Sequence, residues 1–137
     1  MKLVLLCLMI MCSLAGCISH SSLYDELGGK DGIDRISARF ISGIGQDEEI
    51  RPYFEQTNLD RFYRLFSLHL CQVVEGPCQY TGDEMVPTHV GMGITEKHFN
   101  RTVDLLIDAM ESEGIPHPVQ NRVLAKLAPL RDEVIYQ

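Results

Sequence analysis

Met85-Val86-Pro87-Thr88-His89-Val90-Gly91-Met92-Gly93-Ile94-Thr95-Glu96-Lys97-His98-Phe99 is the most informative stretch of this chain. Gly82 and Pro87 keep the backbone around His89 short and irregular. Thr95 then caps a long helix that turns Phe99, Val103, Leu106, Ile107 and Met110 inward and is closed by Gly114. An imidazole on a short segment, facing an aromatic-rich helix, can hold a metal from one side. Taken alone, an isolated histidine is more often exposed or a satisfied core residue, so its surroundings have to decide.

Those surroundings are helical. Ser22 with Asp25 is a weak capping signal before Leu23-Tyr24-Asp25-Glu26-Leu27, and Gly28-Gly29 ends that turn. Ile33, Ile36, Phe40, Ile41 and Ile44 recur at three-and-four spacing, which predicts an amphipathic helix ending near Gly45. Glu48 to Phe54 reads as a short turn of helix interrupted by Pro52. Asn58 caps a helix with Leu59, Phe62, Tyr63, Phe66, Leu70, Val73 and Val74 on one face, stopping before Gly76-Pro77. Pro116 and Pro118 open the last helix, whose apolar positions are Val119, Val123, Leu127, Leu130 and Val134. Pro129 should kink it. No run alternates as a strand would, and there is no internal repeat. The expected architecture is all-α, with one domain.

The first residues stand apart from this pattern. Lys2 precedes the apolar run Leu3 to Cys12, followed by Ser13-Leu14-Ala15-Gly16-Cys17, the layout of a secretory leader. The apolar run is shorter than the roughly 20 residues a membrane-spanning helix needs. Leu14-Ala15-Gly16-Cys17 resembles the bacterial lipobox, which implies cleavage after residue 16 and lipidation of Cys17. The expected organisation is a signal peptide over 1–16, a tether over 17–22 and the folded domain over 23–137, exported and lipid-anchored to a bacterial membrane. More than one acyl chain on Cys17 would make that attachment stable.

The 137 residues carry a formal charge of −7, one unit more negative without Lys2, and no basic run. That argues against nucleic acid and anionic lipid as partners. With Cys7 and Cys12 in the leader, Cys71 and Cys78 remain as a pair flanking Glu75-Gly76-Pro77. In an exported protein they are either bridged, contributing about 2 kcal/mol, or free thiols. Their spacing is not that of a zinc site.

Other chemistries fail on specifics. Gly91-Met92-Gly93 lies between helices with no preceding strand, so it is not a phosphate-cradling loop. No serine sits in a nucleophile elbow. His69, His98 and His117 have no partner one turn away that would favour zinc. A single histidine suffices in haem proteins, because the porphyrin supplies the other four nitrogens.

From Leu23 to Val134 the chain resembles a group 1 truncated haemoglobin, a small globin with a reduced first helix. The resemblance rests on Leu23-Tyr24-Asp25-Glu26-Leu27-Gly28-Gly29; on Phe40 with Asp47, Ile50 and Phe54; and on Leu70-x-Gln72 with Gly76-Pro77-x-x-Tyr80-Thr81-Gly82. It is completed by Met85-x-x-x-His89 with Gly91-x-Gly93-Ile94-Thr95-x-x-His98-Phe99. The resemblance implies a two-over-two helical sandwich around haem b, with His89 as the axial iron ligand. The helix pairs would be Ile33–Gly45 with Asn58–Val74, and Thr95–Glu113 with Pro116–Val134. Phe40, Ile41, Phe54, Phe62, Leu65, Phe66, Met85 and Phe99 are the implied lining, each equally explicable as core. His98 would approach a haem propionate. His69 is a poor sixth ligand, since the resemblance puts it beyond the position above the iron.

One departure from the family matters. Many members have a tyrosine after the second-helix phenylalanine and glutamine on the distal helix, both donors to bound dioxygen. Here Ile41 stands at the tyrosine position, and Phe62 and Phe66, with Leu65 between them, at the distal ones. None can donate a hydrogen bond. Tyr63 would replace the missing hydroxyl only if its helix were rotated. The expected function is reversible binding of dioxygen or nitric oxide, in the oxygen-binding and transport class. Conversion of nitric oxide to nitrate with an external reductase, a haem-based sensor or adaptor, and a globin-like lipoprotein without haem are the alternatives.

Overall fold

In a computed structural model, residues 21–137 are described, and all their regular elements are helical. The leader over 1–16, Cys17 and most of the tether lie outside the described residues. Six α-helices and two 3-10 segments follow in order: α1 (Leu23–Glu26), α2 (Gly29–Gln46), a 3-10 turn (Arg51–Phe54), α3 (Leu59–Val73), α4 (Met85–His89), α5 (Glu96–Ser112), α6 (His117–Leu127) and a second 3-10 turn (Ala128–Glu133).

The predicted caps are in place. The Ser22 hydroxyl accepts from Asp25 N–H at 3.1 Å while the Asp25 carboxylate accepts back from Ser22. Asn58 accepts from Arg61 N–H at 2.9 Å, and Thr95 from His98 N–H at 3.3 Å. α2 begins at Gly29, ahead of the expected Ile33, because Gly28 in the left-handed region (φ 88°) turns the chain directly from α1 into it. The polar first turn carries no hydrophobic period, so periodicity alone missed it. The segment expected to be irregular around His89 is a five-residue helix. Pro87 fits there because first-turn N–H groups have no partner inside a helix. The kink expected at Pro129 is a change of helix type: without an N–H the α ladder cannot continue, and the chain tightens into the 3-10 turn.

α2 is the central element, packing most extensively on α5 and next on α3. Ile33, Ile36, Phe40 and Ile44 of α2 are buried with Leu70 and Cys71 of α3, Leu105, Leu106, Ala109 and Met110 of α5, and Val119 and Val123 of α6. Leu59, placed on the apolar face of α3 by its period, is instead 53% exposed at the helix start. The chain end returns to the His89 region: the second 3-10 turn packs on α4, and Tyr136 N–H donates to the Ile94 carbonyl at 2.9 Å. Cys71 and Cys78 are joined as a disulfide, with Cα atoms 5.8 Å apart, which resolves the open choice between bridge and thiols. No described helix is long and apolar enough to cross a membrane.

Asp47 pins the corner after α2. Its carboxylate accepts from the N–H groups of Glu49 and Ile50 at 3.0 and 2.9 Å and from Arg101 Nε of α5 at 2.6 Å. The Arg101 hydrogen bond holds Asp47 below the usual carboxylate range. A lowered pKa in the folded state means stability that is complete above the unfolded value and drains as pH falls through the lowered one. Asp47→Ala should therefore cost about 1–2 kcal/mol at neutral pH. In urea titrations the gap to wild type should close in acid, below about pH 4. A gap independent of pH would show that the charge is not what matters.

Candidate haem site

The helices enclose a cavity of about 640 Å³, within the range of small-molecule and cofactor pockets. Phe40, Phe54, Phe62, Leu65, Phe66, Met85, His89, His98 and Phe99 all line it, so one space collects nine of the residues singled out in the sequence. Ile41 is not among the lining residues. It sits about 100° round α2 from Phe40, and it is half-buried away from that wall. Tyr63 is not there either; its hydroxyl points toward the Asp34 carbonyl, 3.5 Å away, so α3 is not rotated to offer it to the cavity.

One wall is aromatic and apolar. Phe40 stacks on Phe66 with ring centroids 4.6 Å apart, Phe66 tilts against Phe62 at 6.0 Å, and Phe62 meets Phe54 at 4.9 Å. Phe54, Phe62 and Phe66 remain partly exposed although each packs against the core cluster, because one side of each faces the cavity. His89, in the last turn of α4, lines the same cavity. Its Nδ1 lies 2.7 Å from the Met85 carbonyl, which can only accept, so Nδ1 carries the proton and the Nε2 lone pair is left for a ligand.

The cavity also holds polar groups that sequence reasoning missed. The hydroxyl of Tyr53, on the first 3-10 turn, is hydrogen-bonded to His98 Nδ1 at 2.6 Å. The partners are 45 residues apart, and only the docking of that turn on α5 joins them. His69 meets Tyr80 edge to face at 5.2 Å, and both line the cavity. Burial, and less strongly the nearby His89, hold His69 below the usual imidazole range, so it is neutral at physiological pH. Tyr80 is placed by its N–H, which donates to Gln72 Oε1 at 2.7 Å, and by the adjacent disulfide.

Among the described residues no group of three or more His, Cys, Asp or Glu side chains could hold a metal ion. A metal here must bring most of its ligands with it. Haem meets that condition, and its flat apolar face suits the phenylalanine wall; the residues present fit the group. A helical shell around a largely apolar cavity, lined by an imidazole with a free Nε2, is a globin architecture.

Comparison with known proteins agrees: the bacterial-like globin model matches residues 22–136, and the chain belongs to that family. A group 1 truncated hemoglobin of Mycolicibacterium paratuberculosis is 31% identical over 114 residues, covering 83% of this chain and 84% of that protein. One from Nostoc is 27% identical, covering 84% and 98%. The fold matches the crystal structure of truncated hemoglobin from Tetrahymena pyriformis with a TM-score of 0.83 at 22% identity, covering 85% of this chain and all of that one. The 2/2 hemoglobin of Synechococcus gives 0.79 at 20% identity, again with 85% and 100% coverage. The fold is thus the truncated globin's two-over-two sandwich, and haem binding follows from membership of the family.

Proposed function

We propose that this globin binds haem b through His89 Nε2 and takes up a diatomic gas reversibly on the opposite side of the iron. The observation that carries this is the bond from His89 Nδ1 to the Met85 carbonyl, which leaves the other ring nitrogen free in a cavity with a phenylalanine wall. Bound haem would supply an iron centre that coordinates the gas. The chain's own part is to hold that iron from one side and to set the polarity on the other. Absorption spectra of the ferric, ferrous and carbonmonoxy forms test the reading; a purified protein that takes up no haem and shows no Soret band would reject it.

The apolar wall favours ligands that need no hydrogen bond. Phe62, Leu65 and Phe66 offer no donor to dioxygen, whose bound form is polarised, whereas carbon monoxide and nitric oxide depend less on one. Phe62→Gln, which adds a donor at an already part-exposed position, should slow dioxygen dissociation about tenfold, the effect of roughly 1.4 kcal/mol. Carbon monoxide dissociation should change little. Stopped-flow rates measure both, and an unaltered dioxygen rate would mean that residue 62 does not face the ligand.

We further propose export and lipid anchoring at Cys17, read from Leu14-Ala15-Gly16-Cys17. The Cys71–Cys78 disulfide supports it, since such bonds persist in oxidising compartments. Metabolic labelling with a fatty acid, lost in Cys17→Ser, is the test; an unlabelled wild-type protein would count against it.

A further inference from the structure

Two tyrosines line the cavity, and they differ in what their hydroxyls can do with a proton. Tyr80 donates to the backbone carbonyl of Asp83 at 2.9 Å. A carbonyl accepts a hydrogen bond but is no base at neutral pH, and burial pushes the Tyr80 phenol up, further from ionising. The Tyr53 hydroxyl lies 2.6 Å from His98 Nδ1, the short end of the range over which a positioned base takes a proton, and it donates in the His98 tautomer that carries its proton on Nε2. The rings meet edge to face with centroids 5.4 Å apart. Outside the cavity, Tyr63 also faces only a carbonyl, that of Asp34. Removing an electron from a phenol is costly unless the proton leaves in the same step. Tyr53 alone of these three has somewhere to send it.

We propose that Tyr53 is a one-electron donor to haem in this cavity, with His98 Nδ1 receiving the phenol proton, and that the pair lets the protein reduce peroxides. This rests on haem being bound as proposed above. As the peroxide O–O bond breaks, hydrogen peroxide takes up two electrons, and with two solvent protons its oxygens end as water. One electron comes from the haem group and the other from Tyr53. The phenol O–H bond breaks, the proton rests on His98 as imidazolium, and Tyr53 is left as a neutral phenoxyl. Two molecules of a small phenolic reductant then each give up one electron, one to the phenoxyl, with His98 returning its proton, and one to the haem group; the protons they release to solvent replace the two consumed.

The same cavity supplies a reason for such chemistry. With no donor on the Phe62, Leu65 and Phe66 wall, bound dioxygen is poorly retained and can leave as superoxide, carrying off one electron. Two superoxides and two protons give one dioxygen and one hydrogen peroxide. A globin with this wall generates the oxidant that the tyrosine–histidine pair is placed to consume.

The test is freeze-quench electron paramagnetic resonance on the ferric, haem-loaded protein mixed with hydrogen peroxide, in protein made with ring-deuterated tyrosine to identify a tyrosyl signal. Yields are taken per haem from the Soret band. Wild type and Tyr80→Phe should give the signal; Tyr53→Phe, which removes only a hydroxyl, should lose it. His98→Gln can still accept the hydrogen bond but takes no proton, so the signal should form about a hundredfold or more slowly, the scale of a lost positioned base. A wild-type tyrosyl signal that survives in Tyr53→Phe, no tyrosyl signal in a wild type that has a Soret band, or wild-type formation rates in His98→Gln would each overturn the proposal while leaving the haem reading intact. A wild type without a Soret band would overturn both.

Discussion

His89→Ala is expected to purify as a folded, helical protein with no Soret band. His89 is only part-buried on a five-residue helix, and its one side-chain bond, to the Met85 carbonyl, is worth about 1 kcal/mol, so its loss leaves the fold standing. The same loss removes the imidazole whose tautomer leaves Nε2 free. Of the two other cavity histidines, His98 has its Nδ1 engaged by Tyr53, and His69 sits on a different helix, α3, with its ring packed edge to face on Tyr80. No described cluster of ligating side chains stands in reserve. Imidazole added to the variant should restore the band by filling the space that the side chain left. A variant whose ferric and ferrous spectra match wild type without added imidazole would show that His89 is not the ligand.

Gly32→Ala is expected to be the most damaging small substitution in the fold. A Cβ there would sit 1.8 Å from the Leu27 carbonyl oxygen and 2.8 Å from its carbon. Both are backbone atoms, so no rotamer relieves the clash. The junction between α1 and α2 would have to open, and with it the packing of Leu27, which is 1% exposed. That should cost about 3 kcal/mol or more. The sign makes the test sharp, because alanine in a helix otherwise gains up to about 1 kcal/mol over glycine. Gly45, also in α2, has nothing within 4 Å of its Cβ position, so Gly45→Ala should show that gain. Urea midpoints for both variants decide the matter; similar midpoints would mean that the α1–α2 contact is looser than the structure has it.

Much of this architecture could be read from local signals. Helical period, the caps at Ser22, Asn58 and Thr95, and the breaks at Gly114 and Pro129 are short-range effects, each set by a few neighbouring residues. Seven of the eight proposed lining residues fall in one cavity with His89 and His98, because the order and spacing of a family pattern already carry its three-dimensional arrangement. Ile41 lies off the cavity wall because the phase of α2 turns it about 100° from Phe40. Where the local signal was weak, at Lys30-Asp31-Gly32 and around Pro87, helix formed anyway under tertiary packing and first-turn tolerance of proline.

The chain by itself determined an all-α globin with His89 on a short segment and a phenylalanine set without donors, since residue types at fixed helical spacings suffice for that. Only the tertiary structure decided that Cys71 and Cys78 are bridged, that Tyr63 turns to the Asp34 carbonyl, and that Tyr53 meets His98. The bridge needs a distance, the Tyr63 orientation a rotation angle, and the Tyr53–His98 bond the docking of a turn on a helix far along the chain. None of these quantities is written in a local sequence pattern. They arise when helices with independent periods settle against one another.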